Sequence, residues 1–165
     1  MRVSLAVLAI SFALAAAPVR AAPIVAAVRV TIGSELAKKT EILDAREFEY
    51  LTGELKRSVE KTLQRSGTLR PDGGALDLVI EDARPNRPTL REMSAKPGLS
   101  YSSFGVGGAR IGGEYRAKSG VRTPVHYSWY ETDIRWADTS STWSDAGRAF
   151  DKLADRLDKD QLDDR

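Results

Sequence analysis

Cysteine is absent from all 165 residues. That excludes disulfides, thiol nucleophiles and thiolate metal sites. It also excludes the lipid anchor of bacterial lipoproteins, which is attached at a cysteine. Histidine occurs once, at His126, and one histidine without cysteine cannot build a structural zinc site. Asparagine also occurs once, at Asn86. Aromatic residues are sparse in the first hundred positions; nine of the twelve lie from Tyr101 onward, so any aromatic surface belongs to the C-terminal part.

Long hydrophobic runs are also lacking, with one exception at the start. "MRVSLAVLAISFALAAAPVRAAPIV" carries Arg2, then an apolar run from Val3 to Ala17, then small residues. The run is too short to span a bilayer comfortably and has the layout of a secretory signal, with cleavage expected before Ala22. The expected product is periplasmic, with no transmembrane segment left after removal of the signal. Excess charge of one sign is lacking too. Arg2 and Arg20 leave with the signal and no acid does, so 25 basic residues fall to 23, equal to the 23 acidic ones. A neutral chain gives no electrostatic case for nucleic acid.

What is present reads as one domain over residues 22–157, followed by a charged tail over 158–165. "AAVRVTI" alternates, with Val28, Val30 and Ile32 on one face. A helix is predicted over 45–66. Asp44 stands as N-cap with Glu47 completing a capping box. Phe48, Leu51, Leu55, Val59 and Leu63 form one stripe, and Gly67 is the stop. "ALDLVIEDA" is a second strand with Leu76, Leu78 and Ile80 inward, ended by Pro85 and Pro88. The segment up to Leu99 is a proline-bearing loop with room for one helical turn.

"ARIGGEYRA" and "TPVHYSWYETDIRWA", joined by "KSGVR", read as a hairpin. The second arm is apolar on both faces, which predicts a central or covered strand. A last helix follows, with Thr142 and Asp145 in a capping-box pattern and Trp143, Ala146, Phe150, Leu153 and Leu157 as its stripe. Two helices with one apolar face each need a sheet to cover. The predicted fold is therefore an α+β two-layer sandwich, a mostly antiparallel sheet of about four strands with both helices on one face, in the order β-α-β-β-β-α.

Candidate chemistry is thin. Gly105, Gly107, Gly108, Gly112 and Gly113 crowd nine residues. No lysine follows the glycines as a P-loop requires, and the third glycine of a dinucleotide fingerprint is missing. A strand, not a helix, follows, so no helix N-terminus is offered to a phosphate. Glycine in an extended segment permits a bulge or close backbone approach; the alternative is a ligand against the bare backbone at Gly107 and Gly108. "EDARPNRPT" places Arg84 and Arg87 around Asn86 on a stiff loop. These arginines suit an anion or a partner carboxylate. The plainer reading is a turn in which Asn86 bonds its own backbone and the arginines pair with nearby acids.

Trp129 and Tyr130 suit either a binding surface on the sheet face away from the helices or a second core layer under the long loop. His126 with Glu131 or Asp133 is the one hydrolase-like set; Ser128 is a poor nucleophile for it, and "GLSYS" fails the G-x-S-x-G pattern at its last place. The acids of the tail, Asp158, Asp160, Asp163 and Asp164, lack EF-hand spacing. No metal and no cofactor are expected.

With its capped helix, its "LDLVIED" strand and its "GGEYRAKSG" hairpin, the chain resembles small exported bacterial proteins of unknown function. In layout it is similar to the small α/β domains of envelope proteins, such as the N-terminal domain of the Tol-system β-propeller protein. The resemblance implies an envelope setting and no catalytic residue. The reading that follows is a non-enzymatic periplasmic module binding an envelope protein or cell-surface component through Arg84, Asn86, Arg87, Gly107, Gly108, Trp129 and Tyr130. The hydrolase and a small-ligand carrier stand as alternatives.

Overall fold

The computed structural model describes residues 22–159. The expected signal segment, residues 1–21, lies outside the described residues, as do the last six positions of the expected tail. In chain order the elements are β1 (Val25–Ile32), α1 (Ser34–Ala37), α2 (Ala45–Ser66), β2 (Gly74–Arg84) and α3 (Leu90–Ala95). They continue with β3 (Gly108–Arg116), β4 (Arg122–Tyr130), a 3-10 turn (Ile134–Trp136) and α4 (Ser144–Asp158). The α+β sandwich is thus present, with two short helices, α1 and α3, that periodicity does not reveal. Asp158, expected in the tail, is the last residue of α4.

The sheet has the order β1-β2-β3-β4. β1 and β2 run parallel, while β2–β3 and β3–β4 are antiparallel. A parallel pair needs a crossover, and the chain supplies α2. That helix starts where Asp44 accepts hydrogen bonds from the backbone N–H groups of Arg46 and Glu47 (2.9 and 3.2 Å). It stops at Gly67, whose φ of 75° lies in the left-handed region open to glycine. The capping box is only half made, because the Glu47 carboxylate accepts instead from the indole N–H of Trp143, tying α2 to α4.

α2 and α4 cover one face of the sheet. Leu51, Leu55, Val59 and Leu63 meet Phe150, Leu153 and Leu157, above Leu76, Leu78, Ile80, Ile111 and Val125. These side chains are essentially dry, and each large one contributes roughly 1.5–3 kcal/mol of burial.

Two expectations about the sheet are corrected. β4 is an edge strand, not a central one. Val125 and Tyr127 turn to the core while His126 and Ser128 are exposed. Its aromatic rings need no second layer because cations cover them: Lys152 lies over Trp129 (4.8 Å) and Arg84 over Tyr130 (5.2 Å). The sheet face away from the helices is not a tyrosine–tryptophan surface. It is a ladder of ion pairs in which Arg29 and Arg116 reach Asp77, and Arg110 reaches Glu81.

No described helix is long and apolar enough to cross a membrane.

Candidate functional site

The C-terminal end of β2 is where the sequence-predicted residues concentrate. β2 carries a register shift between Ile80 and Asp82. The extra residue re-aims the strand end, so that Ala83 faces the core while Arg84 is exposed. Pro85 and Pro88 then stiffen the turn into α3, whose N-cap Thr89 accepts from Glu92 N–H (3.1 Å).

Asn86 is 1% exposed, and its bonds are not to its own turn. Its side-chain carbonyl accepts from the backbone N–H of Asp145 (2.8 Å), and its amide donates to the Asp145 carboxylate and to Gly105 O (3.2 Å). Its own N–H donates to Thr142 O (2.7 Å), and its carbonyl accepts from Gly105 N–H (2.8 Å). Asp145 is fully buried. The same carboxylate oxygen that takes the Asn86 amide also takes the Gly107 N–H (3.0 Å), and the other accepts from Arg148 (3.4 Å). Asp145 is therefore no partner in a capping box with Thr142. The N-cap of α4 is Trp143, without a side-chain bond, and the helix start is capped from outside by Asn86.

The glycines serve the same lock. A Cβ on Gly107 would come within 2.6 Å of the Asn86 side-chain oxygen, and one on Gly108 within 2.3 Å of Trp129 O. Close backbone approach is what this part of the glycine cluster permits, and the Gly107 N–H is already spent on Asp145.

The two arginines diverge. Arg87 donates from Nε to Thr139 O (2.7 Å) and from Nη1 to Tyr101 O, and it lies 4.9 Å from the Tyr101 ring centre. It stitches loops together instead of pairing with nearby acids. Arg84 is exposed and rests on Tyr130. The Tyr130 hydroxyl donates to Asp82 (2.6 Å), whose other oxygen takes Lys39.

Burial, followed by the bond to the Asp82 carboxylate, pushes the Tyr130 phenol well above its ordinary value of 10.0. At Asp82 burial works upward, but the bonds from Lys39 and Tyr130 outweigh it and hold the carboxyl below its ordinary value. The signs give two limits. The Asp82 contribution is present above the unfolded carboxyl value and lost as pH falls below it. The Tyr130 contribution is present below the unfolded phenol value and lost as pH rises through the folded one. In a spectrophotometric alkaline titration, Tyr130 is expected to form phenolate later than a solvent-exposed tyrosine. Tyr130→Phe is expected to remove the most alkaline part of the curve; loss of an ordinary step instead would show that the buried bond is not made.

Together these groups frame a cleft of about 420 Å³ whose walls include Lys39, Asp82, Arg84, Arg87, Glu92 and Phe104. Phe104 is 54% exposed at its rim. Arg84, Asn86, Arg87 and Tyr130 are brought to this end of the sheet, with Gly107 and Gly108 behind it. Trp129 is not brought there. It is one residue from Tyr130 on a strand, hence on the other face, and it borders a separate groove of about 480 Å³ with Trp136 and Lys152.

His126 is exposed on the ion-paired face, in register with Gly112. Glu131 lies farther along the extended chain, about 16 Å away by strand rise, and is bonded to the N–H groups of Thr132 and Asp133. Asp133 is taken by Arg135. The hydrolase-like set is not assembled. Among the described residues no group of three or more His, Asp or Glu side chains is placed to hold a metal ion.

Sequence reasoning missed Asp145, Asp82, Lys39 and Phe104. Asp145 carried a signal, but the wrong one, since a carboxylate in a first turn looks like a cap. Lys39 and Asp82 meet across 43 residues, and no local pattern joins them.

No family model matches the chain, and no curated protein matches it. Among solved structures, a minor lipoprotein from Acinetobacter baumannii is similar with a TM-score of 0.34 and 12% identity, over 81% of this chain and 90% of that one.

Proposed function

We propose that the chain is an exported, periplasmic module that binds an envelope protein or cell-surface component without catalysing a reaction. The cleft at the end of β2 is its contact surface. The observation that carries this reading is the division of labour at that cleft. Asn86, Gly107, Gly108 and Arg87 are consumed in holding two loops and the start of α4 rigid, while the guanidinium of Arg84, backed by the Tyr130 ring, and the ring of Phe104 stay exposed at an open rim. Rigid framing of a few exposed cationic and aromatic groups is how a surface binds without paying to order itself. Arg84 would engage a carboxylate or another anionic group of the partner, and Phe104 would supply apolar area. The signal segment at 1–21 supports export, and the lack of cysteine supports release from it without a lipid anchor.

The test is site-specific photo-crosslinking in intact cells. A photoreactive residue at Phe104 is expected to give one discrete adduct with an envelope component, and the same residue at Lys61, on the far side of α2, none. Adding Arg84→Glu should abolish the Phe104 adduct. Equal labelling from both positions, or none from either, would overturn the reading. N-terminal sequencing of the protein from fractionated cells should begin at Ala22; a chain that keeps Met1 would overturn the export assignment.

A further inference from the structure

The edge of the sheet opposite β4 carries a second surface. β1 is the edge strand there. Its first residue is covered, since Val25 N–H donates to Thr68 O (2.9 Å) and Val25 O accepts from Arg70 N–H (2.8 Å). Beyond Val25, β2 is the one described strand paired with it. Gly33 N–H donates to Ile80 O on β2 (2.9 Å). Backbone direction alternates along a strand, so Val28, Val30 and Ile32 point their N–H and C=O groups outward. Edges of this kind are ordinarily protected by proline, lysine or a bulge. β4 has Pro124; β1 has a register shift between Val25 and Ala27 at its covered start, and from Val28 to Ile32 it has none of these.

The flank of α2 overhangs this edge. Between them runs a groove of about 440 Å³ with Val28, Val30, Glu49, Thr52, Gly53 and Lys56 on its walls. Gly53 stands in mid-helix, where glycine is a poorer choice than any residue but proline. A Cβ placed there would meet nothing within 4 Å, so the packing of the single chain does not ask for it. Close approach of another helix would.

We infer that the occupant of this groove is a second copy of the chain, joined edge to edge through β1 in an antiparallel twofold arrangement. The geometry is self-complementary, as a twofold interface requires. With the axis at Val30, each outward-pointing residue meets an outward-pointing residue. Val30 faces Val30 of the second copy and Val28 faces its Ile32, closing about six main-chain hydrogen bonds. On the ion-paired face Arg29 then lies opposite Thr31, and no like charges oppose. The same axis passes near Thr52 and Gly53, the small residues that let the two α2 helices come close. Antiparallel α2 helices set Glu49 opposite Lys56 of the other copy, and the pair occurs twice. The product is one continuous eight-stranded sheet (twice the four of one copy), with the two β4 strands at its outer edges and the two clefts opening at opposite strand ends.

Sedimentation of the purified protein over a concentration series tests this. A monomer–dimer equilibrium is expected, with exchange protection of the Val28, Val30 and Ile32 amides that grows with concentration. Gly53→Arg should weaken the dimer by at least about tenfold and leave the circular dichroism spectrum unchanged, because its side chain leaves into open space. Glu49→Lys should weaken it as well, and Lys56→Glu in the same chain should restore it. A protein that stays monomeric up to millimolar concentration overturns the proposal. So does a dimer indifferent to Gly53→Arg and to the charge exchange, or edge protection that appears only on adding envelope extract.

Discussion

Asp145→Ala is expected to destabilise the fold by about 3–5 kcal/mol, because it strips an acceptor from several buried donors at once. One hydrogen of the Asn86 amide and the Gly107 N–H both lose their acceptor in a buried place, while the amide keeps Gly105 O. For a domain of this size the melting temperature should fall by roughly 10 °C. Asp145→Asn should not rescue it. Every recorded partner of that carboxylate is a donor, so an amide NH2 would confront a donor wherever it pointed. Asn86→Asp is the sharper variant. It sets a second carboxylate against the first, so a proton must be taken up to hold them together and one of the two pKa values rises. A raised folded pKa stabilises at low pH and is lost as pH rises; this variant alone should gain stability on acidification through the carboxylate range. Urea unfolding at several pH values reads all three. A loss below about 1 kcal/mol for Asp145→Ala, the level of a single ordinary hydrogen bond, would mean that the network does not hold the fold.

Gly108→Ala is expected to be the next most damaging, at about 2–4 kcal/mol. Its φ of 149° is one an L-residue rarely adopts, and the added methyl would meet the backbone of Trp129 and Tyr130 at 2.3–2.5 Å. Backbone in a paired sheet cannot step aside as a flexible side chain can. Gly107→Ala meets the Asn86 side chain and Arg84 O instead, so it should disturb the Asp145 lock and couple to Asn86→Ala in a double-mutant cycle. Gly105, around which a Cβ finds open space, should accept alanine with little change. If Gly108→Ala unfolded no more easily than Gly105→Ala in urea, close backbone approach would not be the reason for the glycine.

The comparison of these positions shows how far the sequence reaches. α2 was legible from end to end, because its signals act within a few residues: a cap at Asp44, a stripe at helical spacing and a left-handed stop at Gly67. The hairpin was legible for the same reason, its turn closed by Ala117 N–H to Val121 O (2.8 Å). The position of β4 in the sheet was not. Alternation says which side chains share a face; strand order says whether anything lies beyond the edge, and strand order depends on where the crossover returns. The same limit divided Trp129 from Tyr130. As neighbours in sequence they looked like one surface, and strand parity sends one toward α4 and the other toward Arg84 and Asp82.

By itself, then, the sequence determined the elements, their apolar faces and the α+β class, because periodicity and capping are short-range effects. It also determined which chemistries lack their residues, cysteine and clustered histidine above all. Tertiary structure decided the rest. Asn86 and Asp145 are 59 positions apart, and each has an innocent local reading, a turn asparagine and a first-turn acid. Only the packing of the start of α4 against the loop that follows β2 buries both. Once they are buried, their polar groups are satisfied by each other and by the backbone of Gly105, Gly107 and Thr142, and this turns two ordinary residues into the fastening behind the cleft.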